Sequence, residues 1–175
     1  MQGMPAQNTD WILSADDDWL HDFLRESLEI EGINRRATAK ELYATAHFIN
    51  AAEVTVHSLV NLVAVYQPDA RLRDQPGLDV RVGDHVAPAG GHNIRAALQE
   101  ILTNFGANNP WRNHVLYETL HPFTDGNGRS GRALWAFDML HRGMLNRRLN
   151  FLHHFYYQTL SSSRFASEKT KDIPS

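Results

Sequence analysis

The chain contains no cysteine, which excludes a disulfide scaffold and any thiolate metal site and suits a reducing compartment. It has no apolar run near the ~20 residues of a membrane helix and no basic start leading into an apolar signal stretch. The expectation is a cytoplasmic protein with no membrane partner. Charge of one sign is also missing. The balance of 17 basic against 20 acidic residues leaves −3, which argues against nucleic acid as a partner. No fixed-period repeat and no break in composition divides the 175 residues, enough for one domain with a sizeable core. The small net charge hides an asymmetry. Residues 1–31 hold eight acids against Arg25, a balance of −7, so residues 32–175 carry +4.

What is present is helical periodicity. Trp19, Leu20, Phe23, Leu24 and Leu28 form one apolar stripe after the start signals Ser14–Asp18. Thr38 and Glu41 read as a capping box opening a helix past Leu42, Ala46 and Phe48. Val56, Leu59, Val60 and Val63 predict a further helix, closed by Pro68. Ile94, Ala97, Leu98, Ile101, Leu102 and Phe105 predict another. Pro110 suits the first turn of a helix through Leu120, and a long helix carries Ala133, Phe137, Leu140 and Met144. A last helix is expected from Phe151 to Leu160. One segment departs from this pattern: Leu78 to Val82 alternates between glycine- and proline-containing stretches, which predicts a short strand or hairpin. The fold class expected is all-α, a helical bundle with a small β flap.

Chemistry concentrates in His121-Pro122-Phe123-Thr124-Asp125-Gly126-Asn127-Gly128-Arg129-Ser130-Gly131-Arg132. Pro122 ends the preceding helix, so His121 stands at its end, where it can accept a proton near neutral pH. Gly126, Asn127 and Gly128 permit close backbone approach, and the next helix offers its N-terminal N–H groups and dipole to an anion. Arg129 and Arg132, three residues apart, suit a polyphosphate, and Asp125 supplies a hard carboxylate for Mg²⁺. Gly126 to Gly131 also fits G-x-G-x-x-G formally. The dinucleotide fingerprint needs a preceding strand in a βαβ unit, and here the preceding stretch is helical.

The motif from His121 to Arg132 resembles the signature of the Fic/Fido family, H-P-F-x-[DE]-G-N-G-R-x-x-R, at every fixed position. The flap around Val80, Arg81, Val82 and Gly83 and the upstream His114 and Tyr117 are similar too. The resemblance implies a Fic/Fido-type helical bundle that transfers AMP from ATP to a Tyr, Thr or Ser hydroxyl of a target protein and of itself. His121 is then the base and Asp125 holds Mg²⁺. The backbone from Gly126 to Gly128, with Asn127, cradles the α-phosphate; Arg129 meets the β-phosphate and Arg132 the γ-phosphate. The hairpin implies a target segment docked on the flap, and the family also implies a homodimer. Gly128, where the kinase branch of the family carries Lys, favours AMP transfer.

Ser27-Leu28-Glu29-Ile30-Glu31-Gly32 resembles the family's inhibitory motif, [ST]-x-x-x-E-[GN]. Glu31 follows Leu28, Leu24 and Leu20 by three, seven and eleven residues, which sets a carboxylate on the apolar stripe. It also stands at the C-terminal end of its helix, where the dipole disfavours an acid, with Gly32 as a left-handed cap. The hypothesis is that Glu31 pairs with Arg132 and occupies the place of a γ-phosphate. The expected organisation is a disordered leader (1–13), an inhibitory helix (14–32), a Fic catalytic domain (33–162) and a flexible tail (163–175). Removal of AMP or transfer of another phosphate-containing moiety on the same site is an alternative. A catalytically quiet module that binds protein through the flap is another.

Overall fold

The structure, a computed structural model, describes residues 12–147, 156 and 159–163. It is mostly helical with one small antiparallel sheet. The helices are α1 (Asp18–Ile30), α2 (Ala39–Ile49), α3 (Val56–Tyr66), α4 (His92–Thr103), α5 (Pro110–Leu120) and α6 (Asn127–His141). A 3-10 turn, Phe105–Ala107, links α4 to α5.

The local signals explain most boundaries. Asp17 caps α1 by accepting from the Trp19 N–H. Thr38 and Glu41 close the expected capping box on α2, and Thr55 and Ser58 close a second one on α3. Pro110 opens α5 behind the cap of Asn109. Gly32, with φ 69°, ends α1: its N–H bonds the Glu29 carbonyl at 3.0 Å and the Ile33 N–H bonds the Leu28 carbonyl at 2.9 Å, a Schellman closure.

The apolar stripe of α1 buries Trp19, Leu20, Phe23 and Leu24 in the core shared by α2, α3, α4, α5 and α6, and Leu28 is buried as well. Helix α6 packs against α1, α2, α3 and α5, so its polar N-terminal turn is enclosed by apolar layers on several sides. Ile30 at the end of α1 joins Val115, Tyr156 and Leu160 in a smaller cluster with Trp111.

Several expectations shift. The hairpin is β1 (Arg81–Val82) paired with β2 (His85–Val86), with Arg81 opposite Val86 and Val82 opposite His85. Leu78 to Val80 lie outside the strand, because Leu78 gives its carbonyl to the Arg73 side chain rather than to a ladder. Met144 lies beyond α6 and is exposed: the Met144 N–H bonds the Met139 carbonyl in the closing turn around Gly143. Leu13, expected at the end of a disordered leader, is buried and exchanges two hydrogen bonds with the Asn50 side chain, at 2.9 and 2.7 Å. The rest of that leader, residues 1–11, and 164–175 of the tail lie outside the described residues, as do 151–155 and 157–158 of the expected last helix; Tyr156 and 159–163 are helical. No helix among the described residues is long and apolar enough to cross a membrane.

Candidate active site

The motif loop is held from behind by a segment the sequence did not mark. Residues 71–73 run antiparallel to it: Leu72 bridges Phe123, the Arg73 N–H bonds the Pro122 carbonyl at 2.9 Å and the Thr124 N–H bonds the Arg71 carbonyl at 2.9 Å. The Arg73 side chain is fully buried and donates to four carbonyls: His121 at 2.7 Å, Pro88 at 2.8 Å, Leu120 at 2.9 Å and Leu78 at 3.1 Å. Burial pulls its pKa down, against the upward influence of Asp79. One guanidinium thereby ties both ends of the flap to the end of α5. The flap is tied again through His85, whose Nε2 lies 2.9 Å from the Thr119 carbonyl. Val86 stands two-thirds exposed on its outer strand, at 66%.

His121 is the C-cap of α5 and the one non-glycine residue with positive φ among the described residues, at φ 49° and ψ 63°. That left-handed conformation costs a β-carbon residue ~1–2 kcal/mol. It persists because Pro122 forbids continuing the helix and Arg73 grips the His121 carbonyl. The result is an imidazole at the junction of two helices, with its side chain 13% exposed.

Behind it, Gly126 takes φ 77° and no side chain caps α6. The first intrahelical bond runs from the Ser130 N–H to the Gly126 carbonyl, so the N–H groups of Asn127, Gly128 and Arg129 form the open, positive end of the helix. The Asn127 side chain spends both polar atoms on the Phe123 backbone, at 2.8 Å each. Its amide therefore shapes the loop, and what it can offer an anion is its backbone N–H. Asp125 is exposed at the edge of the loop, where it accepts the Gly126 N–H at 2.6 Å.

The two motif arginines point to different neighbours. Arg129 is buried, donates to the Tyr66 carbonyl at 2.8 Å and lies over the Tyr66 ring, which fastens α6 to the end of α3. Arg132 is turned to α1. Its Nε donates to Ser27 Oγ at 2.8 Å, and its Nη2 donates to the Ser27 carbonyl at 2.9 Å and to Glu31 Oε1 at 2.6 Å. The arginine side chain is fully buried and that of Glu31 is 27% exposed. Gly128 makes the room: a Cβ there would lie 2.1 Å from Glu31 Oε1.

A family model described as the Fic/DOC family matches residues 55–137. Those residues form a Fic/DOC family domain. The family is of transferase type, and the matched stretch runs from the cap of α3 to Phe137 in α6, taking in the flap and the whole motif. Helix α1, with Ser27, Glu31 and Gly32, lies before it. Among curated proteins no match to the chain is found.

The electrostatics of the Fic/DOC site centre on Arg132. Burial lowers its pKa, but Tyr156, Glu31 and Glu118 outweigh that, and the net direction is upward. Two buried donor atoms, Arg132 Nη1 and Arg129 Nε, have no hydrogen-bond partner among the described residues. Such orphaned cationic donors beside an open helix N-terminus fit a polyphosphate, which brings acceptor oxygens that the protein does not supply. No group of three or more His, Asp or Glu suited to a metal occurs among the described residues. Asp125 alone with phosphate oxygens and water is the donor set Mg²⁺ accepts.

Sequence reasoning missed Arg73 and Glu118; Tyr156, expected to pack in the core, does so and also bonds His114. Tyr117, noted only as part of the resemblance, bonds Ser130 Oγ at 2.7 Å, and burial pushes its phenol far above its ordinary pKa. His114 sits between the Gly131 carbonyl at 3.0 Å and the Tyr156 hydroxyl at 2.8 Å. Both support α6 from below rather than reach the loop surface.

Proposed function

We propose that the chain is an autoinhibited protein adenylyltransferase, moving AMP from ATP to a Tyr, Thr or Ser hydroxyl of a target protein and of itself. The observation that carries this reading is the anion Arg132 holds. In the first turns of an open helix N-terminus, a buried guanidinium has as its partner the carboxylate of Glu31, delivered by a helix outside the family domain. Glu31 occupies the place of a terminal phosphate. ATP then cannot seat its γ-phosphate on Arg132 while α1 is docked.

With Glu31 displaced, the open N–H groups of Asn127, Gly128 and Arg129 would receive the α- and β-phosphates, and Arg132 the γ-phosphate. Arg129 Nη1 holds the Tyr66 carbonyl and so fixes α6 on α3, and its Nε is the donor that would turn to the β-phosphate. Asp125 would hold Mg²⁺, which supplies charge neutralisation on the phosphates. The target oxygen attacks the α-phosphorus, its proton passes to His121, and the bond to the β-phosphate oxygen breaks to release pyrophosphate. The protein contributes positioning and fixed dipoles. The flap, with exposed Val86 and a free ladder edge, would seat the target segment as an added strand.

Gly128, where the kinase branch of the family carries Lys, favours AMP transfer over phosphorylation. A Cβ at this position would also press on the Glu31 carboxylate, which would have to shift.

The test uses ATP labelled at the α-phosphate. E31G protein is expected to label itself at least about tenfold faster than the parent, and E31G/H121A to lose the label. Equal labelling of parent and E31G would remove the autoinhibitory role of Glu31.

A further inference from the structure

We propose that Glu118 is the positioning residue of His121, a buried carboxylate that turns the imidazole so that Nε2 faces the target hydroxyl. The inference rests on the AMP-transfer reading and deepens its account of the base. Glu118 lies one helical turn before His121 on α5, with Oε2 3.9 Å from His121 Nδ1 and its side chain only 5% exposed.

A buried carboxylate is costly unless charge or hydrogen bonds meet it. Helix α6 is built to receive this one. Arg132 lies close enough for Glu118 to raise its pKa. At Gly131 the helix lacks the side chain that would collide, since a Cβ there would lie 2.3 Å from Glu118 Oε1. The first turns of α6 therefore make room for two carboxylates, at glycines three residues apart. Gly128 admits Glu31, which comes from outside the family domain and can leave with its helix. Gly131 admits Glu118, which belongs to α5 and stays.

The chemistry follows from the imidazole. A neutral ring has one N–H and one lone pair. Nδ1 is buried and turned to a carboxylate that only accepts, so the hydrogen belongs on Nδ1 and the lone pair on Nε2. When the target oxygen bonds the α-phosphorus, its proton moves to Nε2. The imidazolium so formed keeps its Nδ1–H toward Glu118, which stays ionised and takes no proton. This is the orienting role of the carboxylate in hydrolase triads. At 3.9 Å the pair is an ion-pair contact rather than a hydrogen bond, and in the proposed role it shortens as the ring gains charge. Besides His121, Glu118 faces Arg132 on α6, Tyr156 on the C-terminal helix and Tyr117 beside it. A role confined to neutralising Arg132 would cost stability and leave His121 unchanged.

The test is E118Q and E118D, each in the E31G protein. In E118Q, kcat for self-AMPylation is expected to fall at least about tenfold, short of the about 10²- to 10⁴-fold of losing the base, with KM for ATP·Mg²⁺ moving less than about twofold. The imidazole titration of His121, followed by NMR, is expected at lower pH, because the charge that favoured the imidazolium is gone. E118D, with its carboxylate set back, should titrate between the two. A His121 titration equal to the parent's in E118Q overturns the proposal, as does E118D matching E118Q. Should E118Q fail to fold by circular dichroism, E118D decides: a titration below the parent's supports the role and an unchanged one overturns it. The titration is read without turnover. An E31G protein that transfers no AMP therefore refutes the AMP-transfer reading, while the Glu118 proposal still stands or falls on the NMR result.

Discussion

Arg132 offers five N–H donors and accepts nothing, and α1 fills three of the bonds it can make through Ser27 and Glu31. Removing the Glu31 carboxylate leaves a fully buried guanidinium short of an anion, which destabilises the resting protein. ATP would supply that anion. In thermal melts, E31G is therefore expected to unfold below the parent without nucleotide and to gain more from saturating ATP·Mg²⁺ than the parent gains. Equal gains would mean that Glu31 does not compete with nucleotide. Glu31 was legible because the acid broke local rules, standing on an apolar stripe at a helix C-terminus, and its pairing with Arg132 was expected from the resemblance to the family's inhibitory motif. Arg73 and Glu118 were not legible. Each sits in an ordinary helical or loop context, and each acquires its role only when distant segments meet: Arg73 from the carbonyls of His121, Pro88, Leu120 and Leu78, and Glu118 from a glycine thirteen residues along. Asn127 and Arg129 were legible as motif members, but not in which direction their side chains point.

At the scale of elements, α2 shows how far local chemistry carries. Thr38 and Glu41 exchange the two bonds of a capping box, and Arg35 adds a bidentate pair at 2.8 Å to each carboxylate oxygen. Burial raises the Glu41 pKa, but the Arg35 guanidinium and the Thr38 N–H and hydroxyl outweigh it and hold the carboxyl at about 2, against 4.5 ordinarily. The folded pKa is the depressed one, so this stabilisation is complete above pH 4.5 and is lost as pH falls toward 2. Acid titration of stability should show that loss, and E41Q should flatten it across the same range. T38A should cost about 1 kcal/mol in denaturant melts. The starts of α1, α2 and α5 were readable because their signals are local. The ends of the hairpin and of α6 were not. Leu78 gives its carbonyl to Arg73 instead of a strand partner, and Met144 is turned out by the closure at Gly143. Asp17, one of the start signals before the apolar stripe, caps α1 and also pairs with Arg147 at 2.9 Å.

Over the whole molecule, the charge asymmetry is met by two contacts, Asp17 with Arg147 at the start of α1 and Glu31 with Arg132 at its end. An acidic N-terminal helix lies on a family domain whose first α6 turns are basic, and they meet where Ser27 and Glu31 hold Arg132. The end of that helix is also packed by Ile30 against Val115, Tyr156 and Leu160, so the C-terminal helix braces the same element. In the proposed reading the domain is closed to nucleotide while α1 is docked, with release of α1 as the activating step. The most direct test is the intact mass of E31G protein after incubation with ATP·Mg²⁺, beside the parent and E31G/H121A. The account predicts a gain of one or more AMP units in E31G, little in the parent and none in E31G/H121A. A gain of a phosphate unit, or equal masses for parent and E31G, would contradict it.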